Sequence, residues 1–129
     1  MQFVSFLLNL PWTILGLLLA LLSIPRRVEF RKRPISIIIK VRSFWWYKWQ
    51  PAKKEIRAIT NGHTIQLGVL EKPKDLEHEL VHVEQAIREP LIHPLLYTIE
   101  NMRHGYIENK YEKEAYGRAG NKSSSDLSK

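Results

Sequence analysis

His-Glu-Leu-Val-His, residues 78–82, is the stretch whose residue types and spacing can do chemistry. Four residues make about one helical turn, so His78 and His82 stack on one face and can grip a single zinc ion. Glu79 follows the first histidine directly and lies beside the metal, where it can take a proton from a water that the ion activates. Three fixed letters recur by chance in roughly one chain of this length in a few hundred, so the surroundings must carry the argument too.

Residues 71–90 read as one helix. Pro73 suits a first-turn position, Asp75 and Glu77 put acid near the positive N-terminal end, and Pro90 stops the helix. At about 100° per residue, Leu76, Leu80, Val83 and Ile87 form an apolar stripe, with the two histidines roughly opposite, beside Asp75, Gln85 and Glu89. The spacing predicts a helix whose back packs on a core and whose metal-binding face opens to a cleft. The bland alternative is a solvated face that carries two histidines, and motif and periodicity together argue against it.

Two histidines leave such a site incomplete, because a catalytic zinc takes a third protein ligand and a water. The metzincin continuation needs a glycine and a histidine at positions held here by Gln85 and Arg88, which excludes that class. The chain has no cysteine, so disulfides, thiolate ligands and a cysteine nucleophile are excluded as well. Any metal must be held by histidine and carboxylate, which suits an open, catalytic-type zinc site. A carboxylate on a later helix is the remaining source, and residues 109–116, Asn-Lys-Tyr-Glu-Lys-Glu-Ala-Tyr, supply it.

HELVHVEQ followed by a helical N-x-x-E-x-E-A resembles the gluzincins, especially the very small zinc-peptidase domains called minigluzincins. The resemblance covers roughly residues 35–119, but only the two motifs are specific. It implies an α+β, zincin-like domain with a short sheet of about three strands, an active-site helix and a C-terminal glutamate helix. It also implies a zinc metallopeptidase acting on protein or peptide, with zinc held by His78, His82 and Glu112 and with Glu79 as the catalytic base. In gluzincins with an E-x-x-A-D pattern the first glutamate binds the metal, which maps to Glu112. Glu114 points about 200° away around the helix, so only one of the two can face the ion, and Glu108 competes from the same face as Glu112. Tyr116 departs from the pattern, since many relatives carry there an aspartate that orients a ligand histidine. Gln85 or Asn109 would have to take that role. Tyr97, His104, Tyr106 and Tyr111 are the candidate donors to the developing negative charge. A strand just before the active-site helix, residues 64–70, is expected to pair with extended substrate. His63 and His93 lie near turns without a spacing argument and are expected at the surface.

The elements that must position these residues are legible in outline. Residues 35–44 (ISIIIKVRSF) are rich in β-branched side chains and read as a strand. Trp45, Trp46, Tyr47 and Trp49 follow, as interfacial or strand-end aromatics, and residues 51–54 read as a turn. Residues 55–60 and 64–70 read as two strands joined around Asn61-Gly62, a dipeptide that favours a tight hairpin. Residues 94–102 read as a second helix, broken by Gly105. Residues 107–119 read as a third, with Ile107, Tyr111 and Ala115 on one stripe. The polar tail, residues 120–129, has no periodic pattern and is expected to be disordered.

The N-terminus reads differently. Residues 3–24 carry no charge and would reach about 33 Å as a helix, enough to cross a bilayer core. Pro11 either kinks that helix or marks a shorter span beginning near Trp12. No basic residue precedes the run and no small-x-small site closes it, which favours a retained anchor, residues 1–25, over a cleaved signal peptide. Residues 26–34 are then a basic juxtamembrane linker, and residues 35–119 the catalytic domain. Of the net charge of +7, residues 26–57 hold eleven basic against two acidic groups, a net of +9, and the remaining residues a net of −2. Positive charge abutting an apolar run predicts a single-pass protein, contacting the membrane through residues 3–24, with its catalytic domain in the cytoplasm. No nucleic-acid partner is expected. The alternatives are a zinc-binding pseudoenzyme, a zinc hydrolase of another amide, and a basic membrane-anchored adaptor for anionic lipid or nucleic acid. An intramembrane protease would need its histidines within an apolar span, which HELVH is not.

Overall fold

The computed structural model of the protein describes residues 2–44, 57–69, 71, 72 and 74–119. Two helices, α1 (Gln2–Leu8) and α2 (Leu10–Leu22), precede strands β1 (Pro25–Lys32), β2 (Ile35–Val41), β3 (Ala58–Asn61) and β4 (Thr64–Leu67). Helices α3 (Asp75–Arg88), α4 (His93–Glu108) and α5 (Lys110–Ala119) complete an α+β chain. The aromatic run at positions 45–49, the turn at 51–54, Pro73 and the polar tail lie outside the described residues.

Among the described residues the sheet has four strands rather than about three, in the order β1-β2-β4-β3. The added strand is β1, formed by residues expected to be a linker. It runs antiparallel to β2, with Val28 opposite Ile39 and Phe30 opposite Ile37. The alternation Val28-Glu29-Phe30-Arg31 is a period-2 pattern that the density of basic residues obscures. β2 and β4 are parallel, with Ile38 beside Ile65, and β3 returns antiparallel to β4 with Asn61 opposite Thr64. The hairpin loop is therefore Gly62-His63, one residue later than Asn61-Gly62. Gly62 has φ 57°, as the first central residue of a type II′ turn requires.

β2 is apolar on both faces because both are covered. Ile38 packs with Ile65, Leu67, Leu80 and Val83, so that face carries α3. Ile39 and Val41 pack with Ala20, so the other carries α2. A parallel strand covered on both sides needs such an uninterrupted apolar run. Arg57 pairs with Asp75 at 3.0 Å in a largely buried contact that ties the start of β3 to the start of α3.

The N-terminal segment departs from the expected spanning anchor. Among the described residues no helix is long and apolar enough to cross a membrane. The apolar run is interrupted at Asn9, and Pro11 falls in the first turn of α2, where its missing N–H costs no hydrogen bond. Its small and polar residues, Ser5, Asn9, Thr13, Gly16, Ala20 and Ser23, are buried against the rest of the chain. Asn9 donates to the Ala86 carbonyl at 3.0 Å and accepts from the Leu91 N–H at 2.7 Å. Ser5 donates to the Ile87 carbonyl, Thr64 to the Thr13 carbonyl, and Ser23 to Gln66 Oε1. A β-carbon on Gly16 would lie 2.7 Å from Thr64 Cβ, so glycine permits this close approach.

Leu91, between α3 and α4, has a left-handed φ of 69°, an uncommon conformation for a leucine. Asn9 holds its N–H, and the Trp12 indole donates to its carbonyl at 2.7 Å. His63 and His93 are buried rather than at the surface. His63 is held through Nδ1 to the Ile35 carbonyl at 2.6 Å and through Nε2 to the Asn9 amide at 3.2 Å. His93 sits edge-on to the Tyr111 ring, at 4.8 Å between centroids. Burial lowers the pKa of both imidazoles.

Candidate metal centre

The apolar stripe of α3 faces the sheet, so the other side of the helix meets α5 and α4. His78 and His82, one turn apart, direct Nε2 to the same point and lie 3.2 Å from each other. Glu112 Oε1 completes the triangle, 2.9 Å from His78 Nε2 and 3.1 Å from His82 Nε2. All three residues are buried. Donors about 2.0–2.1 Å from a tetrahedral zinc lie roughly 3.3 Å apart, so the three atoms fit a small divalent ion with only slight expansion. Glu79 is buried beside them, and donor atoms of His78, Glu79 and His82 lie within 4.8 Å of one another, as a metal cluster requires. Two carboxylates thus adjoin the histidine pair: Glu112 Oε1 lies within hydrogen-bond distance of both Nε2 atoms, and Glu79 belongs to the same compact group.

Glu112 is positioned by its own helix end. The Asn109 side chain accepts from the N–H groups of Tyr111 and Glu112, capping α5, and donates to Asn101 Oδ1 at 2.8 Å on α4. Asn109 thus sets the glutamate helix, while the histidine partner is Gln85. Gln85 Oε1 faces His82 Nδ1 at 2.8 Å. The Gln85 amide nitrogen donates to the Tyr111 carbonyl and to Glu114 Oε1, at 3.0 and 2.8 Å. That assignment makes Oε1 the acceptor and His82 Nδ1 the donor, so a neutral His82 would carry its lone pair on Nε2, the nitrogen that faces the cluster. Glu114 itself is held by Arg88 at 2.6 Å, away from the cluster. Glu108 is an exposed partner of Lys113.

Of the four candidate donors, Tyr97 comes nearest: its hydroxyl donates to Glu112 Oε2, and its ring lies edge-on to His82. Tyr106 shares a hydroxyl hydrogen bond of 2.7 Å with Tyr116, whose ring packs 4.1 Å from that of His78. Tyr116 therefore packs against His78 of the cluster. Tyr111 turns its hydroxyl to Glu89 at 3.2 Å, and His104 is exposed on α4. Thr60 on β3 donates to Glu79 Oε2 at 3.0 Å. Neither Thr60 nor the Glu114–Gln85 link carries a local signal, because each depends on which segments meet.

The electrostatics suit a cation. Burial disfavours a charged His82, but the hydrogen bond and charge of Glu112, with the charge of Glu79, outweigh it and raise the pKa to about 9. Burial alone would push the Glu112 carboxyl up; hydrogen bonds from His78 and His82 instead hold it well below the usual carboxylate range. Burial raises Glu79 above the ordinary glutamate value, against the charges of both histidines. Burial, with the Glu112 charge close by, also raises Tyr97 and Tyr106, so both phenols remain protonated donors.

No family model, no curated protein and no solved structure matches the chain.

Proposed function

We propose that the protein is a zinc metallopeptidase of gluzincin type. The observation that carries this reading is the convergence of His78 Nε2, His82 Nε2 and Glu112 Oε1 to within 3.2 Å of one another, with Glu79 buried at their side. The ion, when bound, supplies Lewis acidity toward a carbonyl oxygen and toward water. Glu79 takes the proton of the attacking water on its carboxylate and returns it to the leaving amine. Its burial, which favours the neutral form, suits a group that must hold a proton between two steps. Thr60 holds one carboxylate oxygen and so orients the other. Tyr97 is the candidate phenol that touches the cluster; its one hydroxyl proton goes to Glu112 Oε2, and turned from that carboxylate it would donate to charge developing on the substrate oxygen.

The substrate-pairing strand differs from the one the sequence suggests. β4 is central and hydrogen-bonded on both sides, whereas β3 is an edge among the described strands. Extended substrate would lie along β3, whose Thr60 already touches Glu79.

The test is zinc content of the full chain by elemental analysis, with Glu112→Ala and Glu114→Ala alongside, followed by cleavage of a mixed peptide library. About one zinc per chain, lost in Glu112→Ala and kept in Glu114→Ala, is expected. Glu79→Gln should keep the zinc and abolish cleavage. A folded wild type that takes up no zinc, or cleavage that survives Glu79→Gln, would overturn the reading.

A further inference from the structure

The N-terminal helical segment is built inside out for a helix in water. Its polar and small residues face inward, where Ser5, Asn9, Thr13 and Ser23 hydrogen-bond to the sheet and to the end of α3. Its outward face is apolar: ten large apolar side chains between residues 3 and 24 are exposed among the described residues, including Phe3 at 63%, Leu18 at 55% and Leu21 at 67%. That segment carries no charge. A monomer in water rarely leaves so large a continuous apolar surface uncovered.

The neighbouring strand states what covers it. Val28 and Phe30 of β1 pair with Ile39 and Ile37, the β2 residues on the α2 side of the sheet, so they project on that same side. Both are exposed, Phe30 at 78%. Two residues on from Phe30 and opposite Ile35, Lys32 points the same way and is exposed, and Arg26, also exposed, stands at the register irregularity between Pro25 and Arg27 where the strand begins. An apolar surface edged by cations fits the headgroup and upper acyl region of an anionic bilayer. α3, which carries the histidines, packs on the opposite side of the sheet.

We infer that α1, α2 and β1 form a monotopic membrane-binding face, which lies in one leaflet of an anionic bilayer and leaves the His78–His82–Glu112 cluster turned toward solution. This rests on the fold and the exposed surface, independently of the peptidase reading. The segment cannot both span the bilayer and keep Asn9, Thr13 and Ser23 bonded to the sheet and α3.

The test uses the full chain and flotation with phosphatidylcholine vesicles, with and without phosphatidylglycerol. Binding should require the anionic lipid and fall about fivefold for each of Arg26→Gln and Lys32→Gln. Leu21→Glu should weaken it by on the order of tenfold or more, with Leu21→Ser as a milder second variant. Because the chain has no cysteine, Phe3→Cys and Leu21→Cys give single labelling sites. Lipid-borne quenchers should find both labels at one shallow depth. Labels at opposite sides of the bilayer would overturn the inference in favour of a spanning helix. Self-association without vesicle binding would overturn it in favour of a face between copies, and binding unchanged in Leu21→Glu would overturn it outright.

Discussion

Gln85 accepts the Nδ1–H of His82 at 2.8 Å, and its own amide nitrogen is held by the Glu114 carboxylate at the same distance. The glutamine is fully buried, so its orientation is set by these partners and by the Tyr111 carbonyl. A histidine that must present Nε2 to a metal is usually fixed through its other nitrogen. In the proposed site a neutral amide would do so, with a carboxylate one step further out.

Gln85→Leu should therefore lower zinc affinity about 10–100-fold, the range seen when such orienting groups are removed. Glu114→Gln leaves the amide its Tyr111 partner and should cost less. Competition with a chromogenic chelator measures both. Equal losses in the two variants would show that the carboxylate, rather than the amide, orients the ring.

Thr60→Val removes the hydroxyl that donates to Glu79 Oε2 while keeping shape. A hydrogen bond to a buried charge is worth about 1.5–3 kcal/mol, so kcat should fall roughly tenfold or more with zinc content unchanged. The same bond lowers the Glu79 pKa. Without it that pKa rises further, so the acid limb of the kcat/KM profile should move to higher pH.

Asn9→Ala leaves the Leu91 N–H and the Ala86 carbonyl without their side-chain partner in a buried setting. The expected loss is about 1–3 kcal/mol in urea unfolding of the full chain. A neutral Asn9→Ala would mean that the N-terminal segment is not docked as described.

His63 titrates lower in the folded chain than the ordinary histidine value of 6.5, because burial disfavours its charged form. Below that value the unfolded chain takes up the proton more readily, so stability should fall as pH drops through 6.5 and level off only below the folded pKa. Urea midpoints at descending pH check this. His63→Gln, which cannot charge, should flatten the contribution and lower stability at neutral pH.

The sequence by itself determined the features that depend on neighbours within a turn or a strand. The four-residue step from His78 to His82 puts both rings on one side of a helix, and the Leu76–Leu80–Val83–Ile87 stripe says which side meets the core. The β-branched run from Ile35 and the glycine at 62 announce β2 and a hairpin. That only one of Glu112 and Glu114 can meet the histidines was legible as spacing, since residues two apart on a helix point in nearly opposite directions, whereas the choice of Glu112 came from the family resemblance. Tertiary structure decided the rest, because those outcomes depend on contacts between segments distant in the chain. β4 became central, and so β3 the edge, only when β2 entered beside it in parallel. The uncharged N-terminal run has the same composition whether it spans a bilayer or packs on a sheet. Only the match between Ser5, Asn9, Thr13 and Ser23 and groups up to 82 residues away selects packing. His63 is buried for the same reason: its two ring nitrogens find Ile35 and Asn9, partners that no local pattern could name.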